Sequence, residues 1–475
     1  MKRGLLILSF LFPFILGAQA FKIDRVKEDS SLYKSDIKII EDIKLIGNKV
    51  TKGKIVTREL TFELGDTIRS EDFLEELEQS RKNILNTSLF NFTRIDWALA
   101  GDERVTLVIH LQERWYIFPT PIFEIDDNNF NTWWQDKDPS RINYGIHVFH
   151  NNFRGRKEKL VLTAQYGFTE RYRLRYEIPY IDKQQKLGLK FNISYNRRDE
   201  IAYSSFDNER LQYKSEDDDA LRNYSASVGL TYRRKIFNTH TFGIEYDHNR
   251  VRDSVRLLNR EYLGDFRKQI QFISMYYDFR RDKRDSKNYP LKGSFFNFNA
   301  KKYGFGITSK SVNLMNFQLN YRKFWQLEDR LFLASSVRGV VATNNDQPYL
   351  LQNGLGYNSF MIRSYEYYVI DGQNIGLAKV QLRYQLVKPN YATMGFINNK
   401  RFNKFHYAFY LGIFSDAAYV DDNTGYPENN LANEFQFGYG VGLDFVSYYD
   451  IVIRTEFSTN KFGESGIFLH FVAPI

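Results

Sequence analysis

Two periodicities divide the chain. From Trp115 onward, apolar and polar residues alternate every second position, the repeat of a strand with one apolar face. Phe435, Phe437, Tyr439, Val441, Leu443 and Phe445 interleave with Gln436, Gly438, Gly440, Gly442 and Asp444. Met315, Phe317, Leu319 and Tyr321 alternate with Asn316, Gln318, Asn320 and Arg322. Ala378, Val380, Leu382, Tyr384 and Leu386 alternate with Lys379, Gln381, Arg383 and Gln385. Tyr449, Ile451, Ile453, Thr455 and Phe457 alternate with Asp450, Arg454, Glu456 and Ser458, with Val452 breaking the pattern.

Sixteen such segments follow one another, starting near residues 116, 143, 158, 172, 187, 224, 241, 270, 293, 312, 331, 376, 405, 434, 449 and 465. An apolar face backed by a charged one suits a membrane barrel, whose lumen is hydrated. Closure is required because lipid offers nothing to an unpaired strand edge. An even count puts both barrel ends on one side. The long polar connections (126–141, 198–221, 251–268 and 342–375) then fall together on the other, and the stretch 389–404 is the one long exception among the short turns.

Residues 37–114 read differently, as a small β-α-α-β-β domain. A strand opens at Ile37 and ends at Gly47-Asn48. Thr51 is placed to cap a first helix containing Ile55 and Leu60. Ser70 is placed to cap a second, with Glu71 and Asp72 favouring its positive end and Phe73, Leu74, Leu77 and Ile84 on one stripe. Strands near 90–97 and 105–111 follow. Residues 21–36 are polar and unpatterned, an N-terminal extension. Residues 1–20 read as a signal peptide: Lys2 and Arg3, an apolar stretch, then Ala18-Gln19-Ala20 as a cleavage site, with no cysteine behind it for lipid attachment.

Composition supports export and membrane residence. Aromatics are 17% of the chain, with 33 Tyr and 41 Phe, as aromatic girdles demand. The absence of cysteine excludes a disulfide scaffold and a thiolate metal site or nucleophile. The net charge is +9, two of it from Lys2 and Arg3; the rest is scattered through loops, unlike the concentrated face of a nucleic-acid reader. The seven histidines form no compact ligand set, and no nucleophile elbow, P-loop or dinucleotide fingerprint occurs. The chain therefore reads as a non-enzyme without cofactor or metal.

Three segments carry a resemblance. Ile43 to Asp66 (IKLIGNKVTKGKIVTRELTFELGD) resembles the opening of a POTRA domain. Asp282-Lys283-Arg284-Asp285, with Tyr289, Pro290 and Gly293, matches a D-x-R-D-x-x-x-Y-P-x-x-G turn. Ile362-Arg363-Ser364-Tyr365 is similar to a V/I-R-G-F/Y element on a loop that folds into the lumen. Together they resemble the BamA/TamA superfamily of outer-membrane assembly and translocation barrels, here with one POTRA domain.

The resemblance implies a sixteen-stranded all-β transmembrane barrel, residues 115–475, behind a periplasmic domain. It implies that Arg363 pairs with Asp416 on the barrel wall, with Tyr365 beside it. Ser364 stands where the family has glycine, and Gln381 where many members have a glutamate. The barrel seam lies between Pro119-Thr120-Pro121 and a last strand containing Gly466 and Phe471, and it is expected to pair weakly.

The implied role is assembly, insertion or translocation of unfolded outer-membrane or exported polypeptides, in contact with outer-membrane lipid and with other assembly-complex subunits, without nucleotide. Two alternatives stay open: a secretion pore for one dedicated partner, and a passive channel or structural barrel.

Overall fold

In the computed structural model the described residues are 35–125, 139–216, 219–306, 312–343, 347–357, 360–393, 404–423, 429–447 and 452–470. The expected signal peptide, most of the extension that follows it, and Phe471 lie outside them.

The N-terminal domain runs β1 (Ile37–Ile46), α1 (Gly53–Thr57), β2 (Thr67–Arg69), α2 (Ser70–Leu85), β3 (Phe90–Ala100) and β4 (Arg104–Glu113). Its sheet has the order β2-β1-β4-β3, with β1 and β4 parallel. Phe73, Leu77 and Ile84 on α2 are buried against Ile40, Val105, Leu107 and Ile109, so the apolar stripe and the alternating strands close one core.

Three expectations change here. The order is β-α-β-α-β-β, because β2 has only three residues and shows no periodicity. Thr51 does not cap α1, a single turn; its hydroxyl pairs with Tyr116 Oη at 2.8 Å and accepts from Asn152 Nδ2 at 2.9 Å. Ser70 is the first residue of α2 and donates to Ser35 O, while Arg69 takes the cap position and pairs with Glu71 and Asp72.

The barrel begins with β5 (Ile117–Ile125), β6 (Ile142–Phe153), β7 (Glu158–Gly167), β8 (Thr169–Ile178) and β9 (Leu187–Arg198). A side hairpin, β10 (Glu200–Phe206) and β11 (Glu209–Lys214), stands apart from the barrel sheet. Then come β12 (Leu221–Lys235), β13 (Asn238–Val251), β14 (Gln269–Asp282), β15 (Gly293–Tyr303), β16 (Leu314–Glu328) and β17 (Leu331–Ala342). The long loop holds β18 (Asn353–Leu355) and β19 (Ile370–Gly372). The last strands are β20 (Asn374–Thr393), β21 (Lys404–Asp421), β22 (Phe435–Ser447), β23 (Val452–Asn460) and β24 (Ser465–His470).

Sixteen of these form one antiparallel sheet in sequence order, β10, β11, β18 and β19 excepted. The expected starts match to within a few residues. The apparent exception to the short turns shrinks, because β20 and β21 stay paired out to Thr393 and Lys404.

Outward positions carry the lipid face. Phe437, Tyr439, Val441 and Leu443 are exposed, whereas Gln436 and Asp444, which flank them in the alternation, are buried in the lumen. Aromatic rings then mark two levels. Tyr144, Tyr166, Tyr172, Tyr195, Tyr224 and His248 form consecutive ring contacts across β6 to β13, at the ends bearing the long loops. Tyr232, His240, Phe279 and Phe296 do the same near the short turns. Tyr224 and Tyr232 are eight residues apart on β12, about 27 Å along a strand and about 20 Å across a membrane once tilt is included. That is close to the roughly 25 Å of an outer-membrane apolar band.

The N-terminal domain docks on the short turns. Arg233 grips Glu59 through two bonds, at 2.8 and 2.6 Å, and Lys157 lies 3.4 Å from the same carboxylate. Lys52 N donates to Gly155 O at 2.8 Å, and Lys287 Nζ to Asn86 O at 2.9 Å. The Arg58 and Arg156 guanidiniums face the Tyr180 ring, at 5.6 and 4.8 Å from its centroid.

Candidate functional site

The loop between β17 and β20 folds into the lumen and ends in a lock. Arg363 is completely buried. Its Nε and its backbone N–H donate to Asp416 Oδ2 at 2.9 and 3.1 Å, and its Nη2 donates to Asp416 Oδ1. The guanidinium lies 3.8 Å from the centroid of the Phe414 ring. A planar fork meeting a carboxylate this way is the strong, directional form of an ion pair. The Tyr365 hydroxyl is 3.1 Å from Gln436 Oε1, seating the loop on β22.

Two contributors were hidden in the alternation. Lys379 Nζ, on the inner face of β20, stands 3.4 Å from Asp416 Oδ2, so one carboxylate holds two cations. Gly438 on β22 is the floor under the loop: a Cβ there would collide with Arg363 O and Ser364 Oγ. Gln381 is buried but serves Arg383, whose Nη2 donates to its Oε1 at 3.2 Å; no bond to Arg363 is described. The expected acidic-wall position therefore belongs to a different pair.

Ser364 has φ of +76°, left-handed backbone, and its hydroxyl donates to Arg363 O. Such backbone costs a residue with a side chain roughly 1–2 kcal/mol, while glycine adds only about 0.4–1 kcal/mol of unfolded-chain entropy. Ser364→Gly is expected to stabilise the seated loop by about 0.5–1 kcal/mol, read as slower proteolysis within the loop. Faster cleavage would show that the serine hydroxyl matters more than the strain.

At the opposite end of the lumen the turn from Asp282 to Gly293 acts as a second plug. Asp282 and Arg284 pair through two bonds at 2.8 and 2.7 Å, and Asp285 Oδ1 accepts from the N–H groups of Ser286 and Leu291. Gly293 has φ of +100°, where a Cβ would strike Lys283 O. The turn drives Tyr289 inward, where its hydroxyl donates to Asp444 Oδ2 at 2.6 Å. Burial pushes this phenol well above its ordinary pKa, so it stays a donor. Arg454 holds the same Asp444, and Arg383 donates to Pro290 O at 3.3 Å and covers the Tyr289 ring. Val452, which broke the alternation, packs inward with Tyr289, Phe332 and Tyr410.

The seam has its own chemistry. Asn151 N donates to Tyr116 O, and the β5–β6 register runs without a shift, so even-numbered residues of β5 bond to β6. The N and O atoms of 117, 119, 121 and 123 therefore face the seam. Pro119 and Pro121 have no donor to offer there, and the Trp115 indole N–H occupies Ile117 O. Among the described residues no ladder joins β5 to β24, which has only six residues. Gly466 lies on β24 opposite Ser458.

A further group was invisible to sequence spacing, which gave no metal set: Glu366 of the loop, Glu456 of β23 and His470 of β24 converge inside the barrel.

Comparison with known proteins agrees with this architecture. The family model described as Omp85 superfamily domain matches residues 152–447. Among solved structures, BamA from Haemophilus ducreyi lacking POTRA domains 1–3 shares 17% identity at a TM-score of 0.51, covering 89% of this chain and 81% of that one. CdiB from Escherichia coli shares 10% identity at a TM-score of 0.54, covering 91% and 75%. No curated protein sequence matches the chain. With more than half of its length matched by the family model, and with the barrel it implies observed strand by strand, the chain belongs to the Omp85 superfamily.

Proposed function

We propose that this outer-membrane barrel inserts client polypeptides into the membrane at its seam. The observation that carries the reading is the edge of β5, where two prolines and the Trp115 indole remove bonds that closure would use. The backbone groups this edge retains are costly to leave unpaired in lipid, and a client β-strand meets them. The lumen, filled by the Arg363 loop and the Tyr289 turn, favours lateral insertion over passage through an open pore.

The N-terminal POTRA-type domain supplies the capture step by strand addition. β2 covers β1 only from Ile37 to Ile39, and among the described residues no strand pairs with that edge beyond it. Asp42 and Ile43 there line a cleft of about 1330 Å³ that reaches the barrel turns at Lys183 and Lys235. A chain added to β1 lies between the domain and the barrel rim. Binding and folding free energy of the client drive the process, with no nucleotide.

Depletion of the protein with quantitative outer-membrane proteomics tests this. Broad loss of barrel proteins, restored by wild type but not by Arg363→Ala, is the expected result. Loss of one exported protein alone would replace insertion by a dedicated secretion pore. An unchanged proteome would leave a passive barrel.

A further inference from the structure

Three residues beyond the Arg363 lock, the loop delivers Glu366 deep into the lumen. Glu456 reaches the same point from β23, and His470 from β24. His470 Nε2 lies 3.2 Å from Glu456 Oε1 and 3.5 Å from Glu366 Oε1, and donor atoms of all three residues fall within 4.8 Å of one another. Both glutamates are 1% exposed. Asp416 and Asp444, buried in this part of the lumen, each hold an arginine, and Glu366 and Glu456 both face the His470 imidazole.

Geometry and chemistry select a ligand. Ligands on a tetrahedral ion with bonds of about 2.0–2.2 Å stand roughly 3.4 Å apart, close to both separations from His470. Glu456 Oε2 is buried and has no hydrogen-bond partner among the described residues, an arrangement that costs free energy unless something else meets it. Hard cations such as calcium take six to eight oxygens, which one nitrogen and two carboxylates do not supply. The donor set suits a borderline ion.

We propose that Glu366, Glu456 and His470 form a binding site for a divalent transition-metal ion of the zinc class, with a fourth position open to water. Glu456 and His470 lie on the paired strands β23 and β24, and Glu366 comes from the loop, so the ion ties the lumen loop to the last two strands. Neighbouring contacts follow the same path: Tyr367 meets Phe468, and the Tyr368 hydroxyl donates to Glu464 at 2.8 Å. Its consequence, that the ion steadies the strand bordering the seam, rests on the insertion reading; the site itself does not.

The test uses the full chain folded in detergent micelles, stripped with chelator and dialysed against Zn²⁺, with the metal-to-protein ratio measured by mass spectrometry. One retained ion per chain is expected, with affinity falling at least tenfold in His470→Gln and Glu456→Gln. Heat-modifiable electrophoretic migration checks that each variant is a folded barrel. If both variants misfold, Co²⁺ absorption in the wild-type chain and in Glu366→Gln decides: intense four-coordinate bands lost in the variant support the site. No retained ion, weak six-coordinate cobalt bands, or retention equal in wild type and folded variants would overturn it, leaving an imidazolium between two carboxylates. The ratio is unaffected if the insertion reading fails, since it needs no client.

Discussion

Arg363→Ala is expected to destabilise the seated lumen loop by roughly 3–5 kcal/mol, the cost of removing one partner of a buried ion pair. The reason is the depth of the contact. Arg363 and Asp416 have no exposed side-chain surface, and the guanidinium makes two bonds to that carboxylate, while the third, from the backbone N–H, survives in alanine. The barrel ladders do not pass through Arg363, so the sixteen strands should remain paired while the loop leaves its seat.

Asp416→Ala should cost more than Arg363→Ala, because it removes the carboxylate that two buried cations, Arg363 and Lys379, share, whereas the arginine deletion leaves the Lys379 contact in place. The double variant Arg363→Ala/Asp416→Ala should lose less than the sum. Limited proteolysis of the loop and thermal unfolding of the detergent-solubilised protein provide both readings. Wild-type protection in Arg363→Ala would mean that the Phe414 contact and the Tyr365 seat hold the loop unaided.

The second large effect concerns how the two domains meet. Glu59→Gln is expected to release the N-terminal domain from the barrel turns, at a cost again of roughly 3–5 kcal/mol, because Arg233 and Lys157 are left facing each other without their shared carboxylate. Burial alone would raise the Glu59 pKa; Lys157 and Arg233 overcome it and hold the group well below the usual carboxylate range. A depressed carboxylate contributes stability that is present above its unfolded value, about 4.3, and is lost only as pH falls through the folded one. Burial lowers the pKa of Lys157 to about 8, so docking through Glu59 should be flat from about pH 7 to 5 in the wild type and weak throughout in the variant.

The cysteine-free chain allows spin labels at two introduced cysteines, one in the domain and one in a barrel turn, to report the distance. A single short distance in both proteins would show that the Thr51–Asn152 and Lys52–Gly155 bonds suffice.

Much of this was legible before any coordinates. Strands such as β22 announce both faces, because lipid requires Phe437 and Val441 outward and the lumen accepts Gln436 and Asp444. Arg363 and Asp416 were named through resemblance, and in the fold Asp416 accepts from the Arg363 guanidinium. Gln381 and Lys379 were not separable, since both lie on the inner face and differ only in height along β20; height is set by strand tilt and register, which a linear pattern does not contain. Val452 looked like an error in the alternation until Tyr289 arrived beside it from a turn 163 positions away in the chain. The three-residue β2 left no period to read.

By itself, then, the sequence determined the barrel, its sixteen crossings, the side on which the long loops lie and the small domain before them. These follow from local rules: which side chain faces lipid, which faces water, and where the chain turns. Tertiary structure alone decided the contacts across the lumen and between domains. Glu59 with Arg233, Tyr289 with Asp444, and Glu366 with Glu456 and His470 join residues whose separation in sequence carries no information. Closing the barrel brings its far wall, its loop and its turns into one small volume, where buried charges must find partners or cost several kcal/mol each.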